Sequence, residues 1–144
     1  MIDLIAALLW LQETDTPTSV DDPAAEALAF FEPLLGRTWI MTGQPDGAPV
    51  DIVRWERVVD GRIVQSTHSL NHGAYGGRTL YFWDYENERV AYHYATTANF
   101  YTTGYLTPID STTIESLETV HGPIGIDRLR AQFRLRPDGY EVNV

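Results

Sequence analysis

The chain has 144 residues, enough for one domain with a real core, and 44% of them are hydrophobic, which is ordinary for a folding sequence. A formal charge of −10 argues against nucleic acid and anionic membrane as partners, because both require a basic surface. The ten basic residues are all Arg and there is no Cys, which excludes lysine Schiff-base chemistry, thiol nucleophiles, disulfides and cysteine-held metal or iron–sulfur centres.

Residues 1–21 read as a lead-in. Leu4 to Leu11 is a short apolar run, well below the ~18–20 residues of a membrane span. It has two readings: the core of a short signal peptide in residues 1–12, or a plain N-terminal helix or disordered segment. Asp3 precedes it and no basic residue supplies a positive flank. Localisation is therefore cytoplasmic, or exported if that run acts as a signal. Gln12 to Asp21 follows as a polar linker.

Residues 22–144 read as one domain. Asp22 is a helix cap and Pro23 suits the first helical position. Ala24, Ala27, Leu28, Phe31 and Leu35 recur at helical spacing until Pro33 and Gly36 close the element. A short helix at this place is expected to plug one end of a barrel or to pack on an open sheet.

Strands dominate from Arg37. Thr38 to Thr42 leads into a Gly/Pro loop, and Val50 to Val59 turns at Asp60-Gly61 into Arg62 to His68. This register sets Arg57 opposite Val64, Trp55 opposite Ser66 and Val53 opposite His68. Gly73 to Gly77 reads as a Gly-rich loop. Arg78–Asp84 and Arg89–Ala95 are rich in aromatic and β-branched residues. A turn at Tyr85–Glu88 pairs Tyr81 with Tyr92 and sets Asp84 opposite Arg89 as a charge pair. The next turn is expected at Thr97-Ala98-Asn99, where Asn99 tolerates left-handed geometry, and with the usual slip Tyr92 and Tyr94 share a face with Tyr101, Thr103 and Tyr105. Leu80, Phe82, Ala91, His93, Ala95, Phe100 and Leu106 then share the other face. Three more runs follow: Thr112 to Val120, Ile126 to Leu135 with its alternating apolar and Arg positions, and Tyr140 to Val144. The fold class is all-β, an antiparallel up-and-down barrel of about eight or nine strands with a short N-terminal helix. A barrel of this size holds side chains or one small ligand.

Leu34-Leu35-Gly36-Arg37-Thr38-Trp39, a Gly shortly before a Trp that opens the first strand, resembles the start of lipocalin-like (calycin) barrels. Trp55, Asp60-Gly61, His68, Tyr75-Gly76-Gly77, Tyr81, Asp84, Asn99-Phe100 and Gly104 resemble bacterial calycin-type domains of unknown function, the DUF1579-like group. The resemblance runs from Phe31 to Leu135 and implies a barrel with an internal cavity. It implies no catalytic residues. It also implies one further closing strand beyond Val144, so an unclosed edge is expected near Tyr140 to Val144.

The chemistry-bearing residues point to a pocket. Tyr81, Tyr92, Tyr94, Tyr101 and Tyr105 combine aromatic walls with hydroxyl tips, which suit an amphipathic or ring-containing ligand or, equally, cross-strand packing. Trp55, Arg57, His68, Tyr81, Tyr92, His93 and Tyr94 are the candidate ligand-binding residues, with an inward Arg57 suited to a carboxylate head group. His68 and His72 straddle a strand end, no HExxH pattern exists, and no His fits a haem motif, so neither metal nor cofactor is expected. Ser66 beside His68 lacks the context of a nucleophile. The expected function is non-covalent binding of a small apolar or amphipathic molecule. The alternatives are a small isomerase- or hydrolase-like enzyme with His93 or Glu56 as general base, and a module that dimerises through the Tyr140–Val144 edge.

Overall fold

The computed structural model describes residues 22–42 and 45–144; the lead-in read from residues 1–21 lies outside them. Nine strands follow one another in a single antiparallel sheet whose spatial order is the chain order. They are β1 (Thr38–Ile40), β2 (Asp51–Val58), β3 (Ile63–Leu70), β4 (Tyr75–Asp84), β5 (Arg89–Thr96), β6 (Tyr101–Asp110), β7 (Thr113–His121), β8 (Arg128–Arg136) and β9 (Gly139–Asn143). The sheet curls into an up-and-down barrel. At the seam, Trp39 of β1 meets Tyr140 of β9 edge-on at 5.8 Å, and among the described residues no backbone ladder joins these two strands. Among the described residues the edge strands are therefore β1 and β9, and the Trp39–Tyr140 contact bridges them.

The N-terminal element begins as read and ends differently. Asp22 Oδ1 accepts the backbone N–H of Ala24 at 3.0 Å, and Pro23 opens helix α1 (Pro23–Leu28). The chain then tightens into a 3-10 helix, Ala29–Leu34. Buried positions accordingly step by four from Ala24 to Leu28 and then by three to Phe31 and Leu34, so Leu34 takes the place expected of Leu35. Gly36, at φ +69°, reverses the chain there and donates its N–H to the Trp55 carbonyl at 3.0 Å. Trp39 Nε1 donates to the Leu34 carbonyl at 3.1 Å. The helical segment is thereby tied to both β1 and β2.

It closes one end of the barrel. The Phe31 ring lies 5.3 Å from Trp55 and 4.7 Å from Tyr81, and Leu28 and Leu34 complete a core with Val64, Val90, Leu106 and Ile114. The hairpin registers explain which residues reach that core. In β2–β3, Trp55 pairs Ser66 and Val53 pairs His68; in β4–β5, Tyr81 pairs Tyr92 and Trp83 pairs Val90. Both are as the sequence predicts.

Three local readings are corrected. First, β4 starts at Tyr75, so Gly76 and Gly77 are strand residues rather than loop. They are needed there, because a Cβ on Gly76 would lie 2.6 Å from the His68 carbonyl oxygen and one on Gly77 2.3 Å from the Tyr94 ring. Second, β5 pairs with β6 as Tyr92↔Gly104 and Tyr94↔Thr102, which puts Tyr101, Thr103 and Tyr105 on the face opposite Tyr92 and Tyr94 and moves Leu106 onto theirs. The last paired positions there are Ala95 and Tyr101, with five residues between them. Asn99 is not left-handed; Thr96 Oγ1 holds the turn by donating to the Phe100 carbonyl at 2.9 Å and accepting the Ala98 N–H at 3.0 Å. Third, Asp84 and Arg89 are opposed but form no ion pair. The guanidinium lies over the Tyr105 ring at 3.6 Å, while Asp84 caps its own turn through the N–H groups of Glu86 and Asn87.

Because Phe31 is 1% exposed and wedged between two rings, Phe31→Ala is expected to cost about 3–5 kcal/mol. Urea unfolding followed by tryptophan fluorescence measures it; a loss below about 1 kcal/mol would show that the helical plug does not hold the barrel together.

Candidate functional site

Above the Phe31 plug the barrel wall surrounds a cavity of about 930 Å³ that is partly open to solvent and is lined at the seam by residues of β1 and β9. Its depth is set by strand direction. Phe31, Trp55, Leu106, Ile114 and Phe133 line the closed end, whereas Asp51 at the start of β2, His68 near the end of β3 and Glu118 near the end of β7 stand toward the mouth. Period-two alternation delivers one inward residue in two from every strand. The floor is therefore apolar and aromatic, and the mouth is polar and acidic.

Glycines shape the wall. Gly104 faces Tyr92 across β5–β6, and a Cβ there would approach the Tyr92 hydroxyl to 2.8 Å and the Leu117 carbonyl oxygen to 2.4 Å. Gly77 gives the same clearance to the Tyr94 ring. The two tyrosines can lie along the wall because the strand beside each has no side chain, which leaves the lumen open.

At the mouth a chain of hydrogen bonds runs across four strands, β2 to β5. Asp51 accepts from His68 Nδ1 at 3.1 Å, His68 Nε2 meets the Tyr94 hydroxyl at 2.8 Å, and the Tyr94 hydroxyl meets that of Tyr75 at 2.7 Å. A carboxylate only accepts, so Nδ1 carries the hydrogen; in the neutral ring Nε2 then accepts from Tyr94, which accepts from Tyr75. The arrangement holds the imidazole in one orientation.

Four buried polar atoms have no partner among the described residues, the Thr102 and Thr113 hydroxyls and one atom on each of two cavity-wall residues. Trp55 Nε1 and the Tyr92 hydroxyl are buried without a hydrogen bond of acceptable geometry, although Tyr140 stands beside the first and Glu118 and Ser116 beside the second. Burial pushes the phenols of Tyr81, Tyr92 and Tyr94 well above the ordinary tyrosine value, and the negative charge of Glu118 adds to the shift in all three. Tyr140 is raised mainly by burial, with a contribution from Asp51.

Of the seven candidate residues, Trp55, His68, Tyr81, Tyr92 and Tyr94 come together on the cavity wall. Arg57 and His93 do not. Arg57 lies at the closed end, where it pairs with Glu32 and donates to the Gly61 carbonyl at 2.8 Å, so it offers nothing to a ligand head group in the lumen. His93 is exposed on the outer face, edge-on to Phe82 at 5.7 Å, because it is adjacent in sequence to inward Tyr92. Glu56 is likewise on the outer face, accepting from Gln65 at 2.7 Å. Neither of the general bases expected for an enzyme is therefore in the lumen. Among the described residues no three His, Asp or Glu side chains converge as a metal site would need.

Sequence reasoning missed Asp51, Tyr75 and Glu118. For Glu118 the hydropathy of β7 points the wrong way, since neighbouring Leu117 is 57% exposed. The signal lay in the partner strand: Glu118 pairs with Leu129, one of the alternating apolar positions of β8, and so shares its inward face.

A comparison with protein-family models finds no match, and a comparison with curated proteins finds none either. The likeness to lipocalin-like proteins is therefore carried by the barrel architecture, and the chain is assigned to no family.

Two results are expected. Gly104→Ala should destabilise the fold by about 1–3 kcal/mol, since the new methyl meets backbone oxygen that cannot turn aside; thermal unfolding reads this, and an unchanged midpoint would disprove the close approach. In the alkaline range the unfolded chain ionises tyrosines near pH 10 while the buried ones stay protonated, so the unfolded state binds fewer protons. Stability should be insensitive to these groups below that pH and fall progressively above it. Absorbance at about 295 nm would show part of the tyrosine ionisation delayed until unfolding; complete ionisation in the folded state would contradict the burial.

Proposed function

We propose that the protein binds a small apolar or amphipathic molecule non-covalently inside the barrel. The observation that carries this reading is a lumen of about 930 Å³ whose wall residues include Trp55 and Tyr92, each with a buried polar atom that has no partner. A cavity of that size lies within the ~300–1,000 Å³ range of small-molecule sites, and its lining combines broad aromatic surfaces with a few polar atoms. An unpaired buried donor costs about 1–3 kcal/mol, so a ligand acceptor reaching Trp55 would recover energy that the ligand-free wall forgoes. The apolar floor supplies non-directional affinity and the mouth supplies orientation.

Acid–base catalysis is the weaker reading. Lumenal His68 has both ring nitrogens engaged, by Asp51 and Tyr94, so it has no free lone pair with which to abstract a substrate proton unless Tyr94 moves away.

The test is titration with the neutral fluorophore N-phenyl-1-naphthylamine, whose emission rises in apolar surroundings. Wild type should bind it with saturable, single-site behaviour. Ala131→Trp, which places an indole in the cavity from the middle of β8, should weaken binding by about tenfold or more, each tenfold being about 1.4 kcal/mol. Far-ultraviolet circular dichroism checks that the barrel persists. Absence of saturable binding to wild type, or an affinity untouched by the indole, would sink the proposal.

A further inference from the structure

We infer that the molecule bound in the cavity carries a cationic amine head, held at the mouth by Glu118 and the Tyr92 hydroxyl, with its apolar body directed toward Trp55 and Phe133. This inference rests on the cavity-binding reading and specifies the chemistry of its ligand.

The first argument is charge. Acidic residues Asp51 and Glu118 face the lumen and Asp138 and Glu141 border it, while no Arg lines it. The inward-parity Arg57 is already engaged by Glu32 and Gly61 at the closed end. The acids differ in what they have to satisfy them. Asp51 has His68 at 3.1 Å and Glu141 has Arg136 at 2.7 Å. Glu118 makes no ion pair among the described residues; the Ser116 hydroxyl donates to it at a long 3.4 Å, and the Tyr92 hydroxyl stands beside it. A half-buried carboxylate of this kind attracts a cation and repels an anionic head group.

The second argument is independent of charge. The Tyr92 side chain is 3% exposed, its hydroxyl lacks a partner, and that hydroxyl lies beside Glu118. An ammonium group donates several hydrogen bonds and accepts none, so one head group can serve the carboxylate and the phenol oxygen together. The ring faces of Tyr81 and Tyr92, 5.7 Å apart by centroid, add the negative side of their quadrupoles to the same region. Below it, Trp55 and Phe133 at 5.8 Å form the apolar contact for the rest of the molecule.

Displacement of N-phenyl-1-naphthylamine by decylamine, decanol and decanoate separates head-group chemistry from chain length. Wild type is expected to bind decylamine about tenfold or more tightly than decanol, with decanoate weakest, in line with a charge-assisted hydrogen bond. Glu118→Gln should erase the amine preference, with far-ultraviolet circular dichroism checking that the barrel persists. Glu86→Gln removes the same charge from the exposed β4–β5 turn and should retain the preference. Three results overturn the inference while leaving the cavity reading intact: decanoate binding as well as decylamine, a preference that survives Glu118→Gln, or one lost equally in Glu86→Gln, which would mark it as an effect of the whole molecule's charge. Failure of all three compounds to displace the fluorophore, in a protein that does not bind the fluorophore either, removes the cavity reading itself.

Discussion

The barrel depends on the contact between Phe31 and the Trp55–Tyr81 pair. The sheet is a meander whose first and last strands share no ladder among the described residues, so curvature alone would leave it a channel open at both ends. Phe31 arrives on a short helical segment anchored by Trp39 to Leu34 and by Gly36 to Trp55, and it stacks on rings from β2 and β4. One aromatic cluster thereby sets the position of the helix, the curvature of the first strands and the depth of the lumen. The same residues serve stability and site: Phe31, Trp55 and Tyr81 are at once core and cavity floor.

The wall above that floor shows a second constraint. A barrel of nine strands brings more than thirty side chains inward by parity alone, and ordinary packing would fill it. Two devices keep space here. Glycines at 77 and 104 let Tyr94 and Tyr92 lie along the sheet, and small residues Ser66, Thr79, Ser116 and Ala131 occupy the middle of four strands. Polar groups at the mouth are then either tied into the Asp51–His68–Tyr94–Tyr75 chain or, like Glu118, left facing the lumen. A structural barrel gains nothing from unpaired groups in its interior, whereas a binding site uses them to orient what enters.

Much of this was legible residue by residue. The two hairpins that join β2 to β3 and β4 to β5 could be registered from their turns, and those registers placed Trp55, Ser66, His68, Tyr81 and Tyr92 correctly relative to one another. The β5–β6 turn was not legible in the same way, because a Thr96 hydroxyl rather than an Asn conformation sets its length, and one residue of error exchanges every side chain between faces. Gly76-Gly77 read as loop because glycine weakens strands in general; only the rings and carbonyl pressed against them show why they belong in one.

The sequence by itself determined the fold class, the helix cap, the order of the strands and the chemical character of the two faces, because turns and period-two alternation are local properties of the chain. Tertiary structure decided which face was inside. Curvature of the sheet and the seat of Phe31 select the Trp55, His68, Tyr81, Tyr92 and Tyr94 set for the lumen, send His93 and Glu56 to solvent, and bring in Asp51 and Glu118 from strands far apart in sequence. Those choices depend on packing between distant segments, and no spacing within a single strand encodes them.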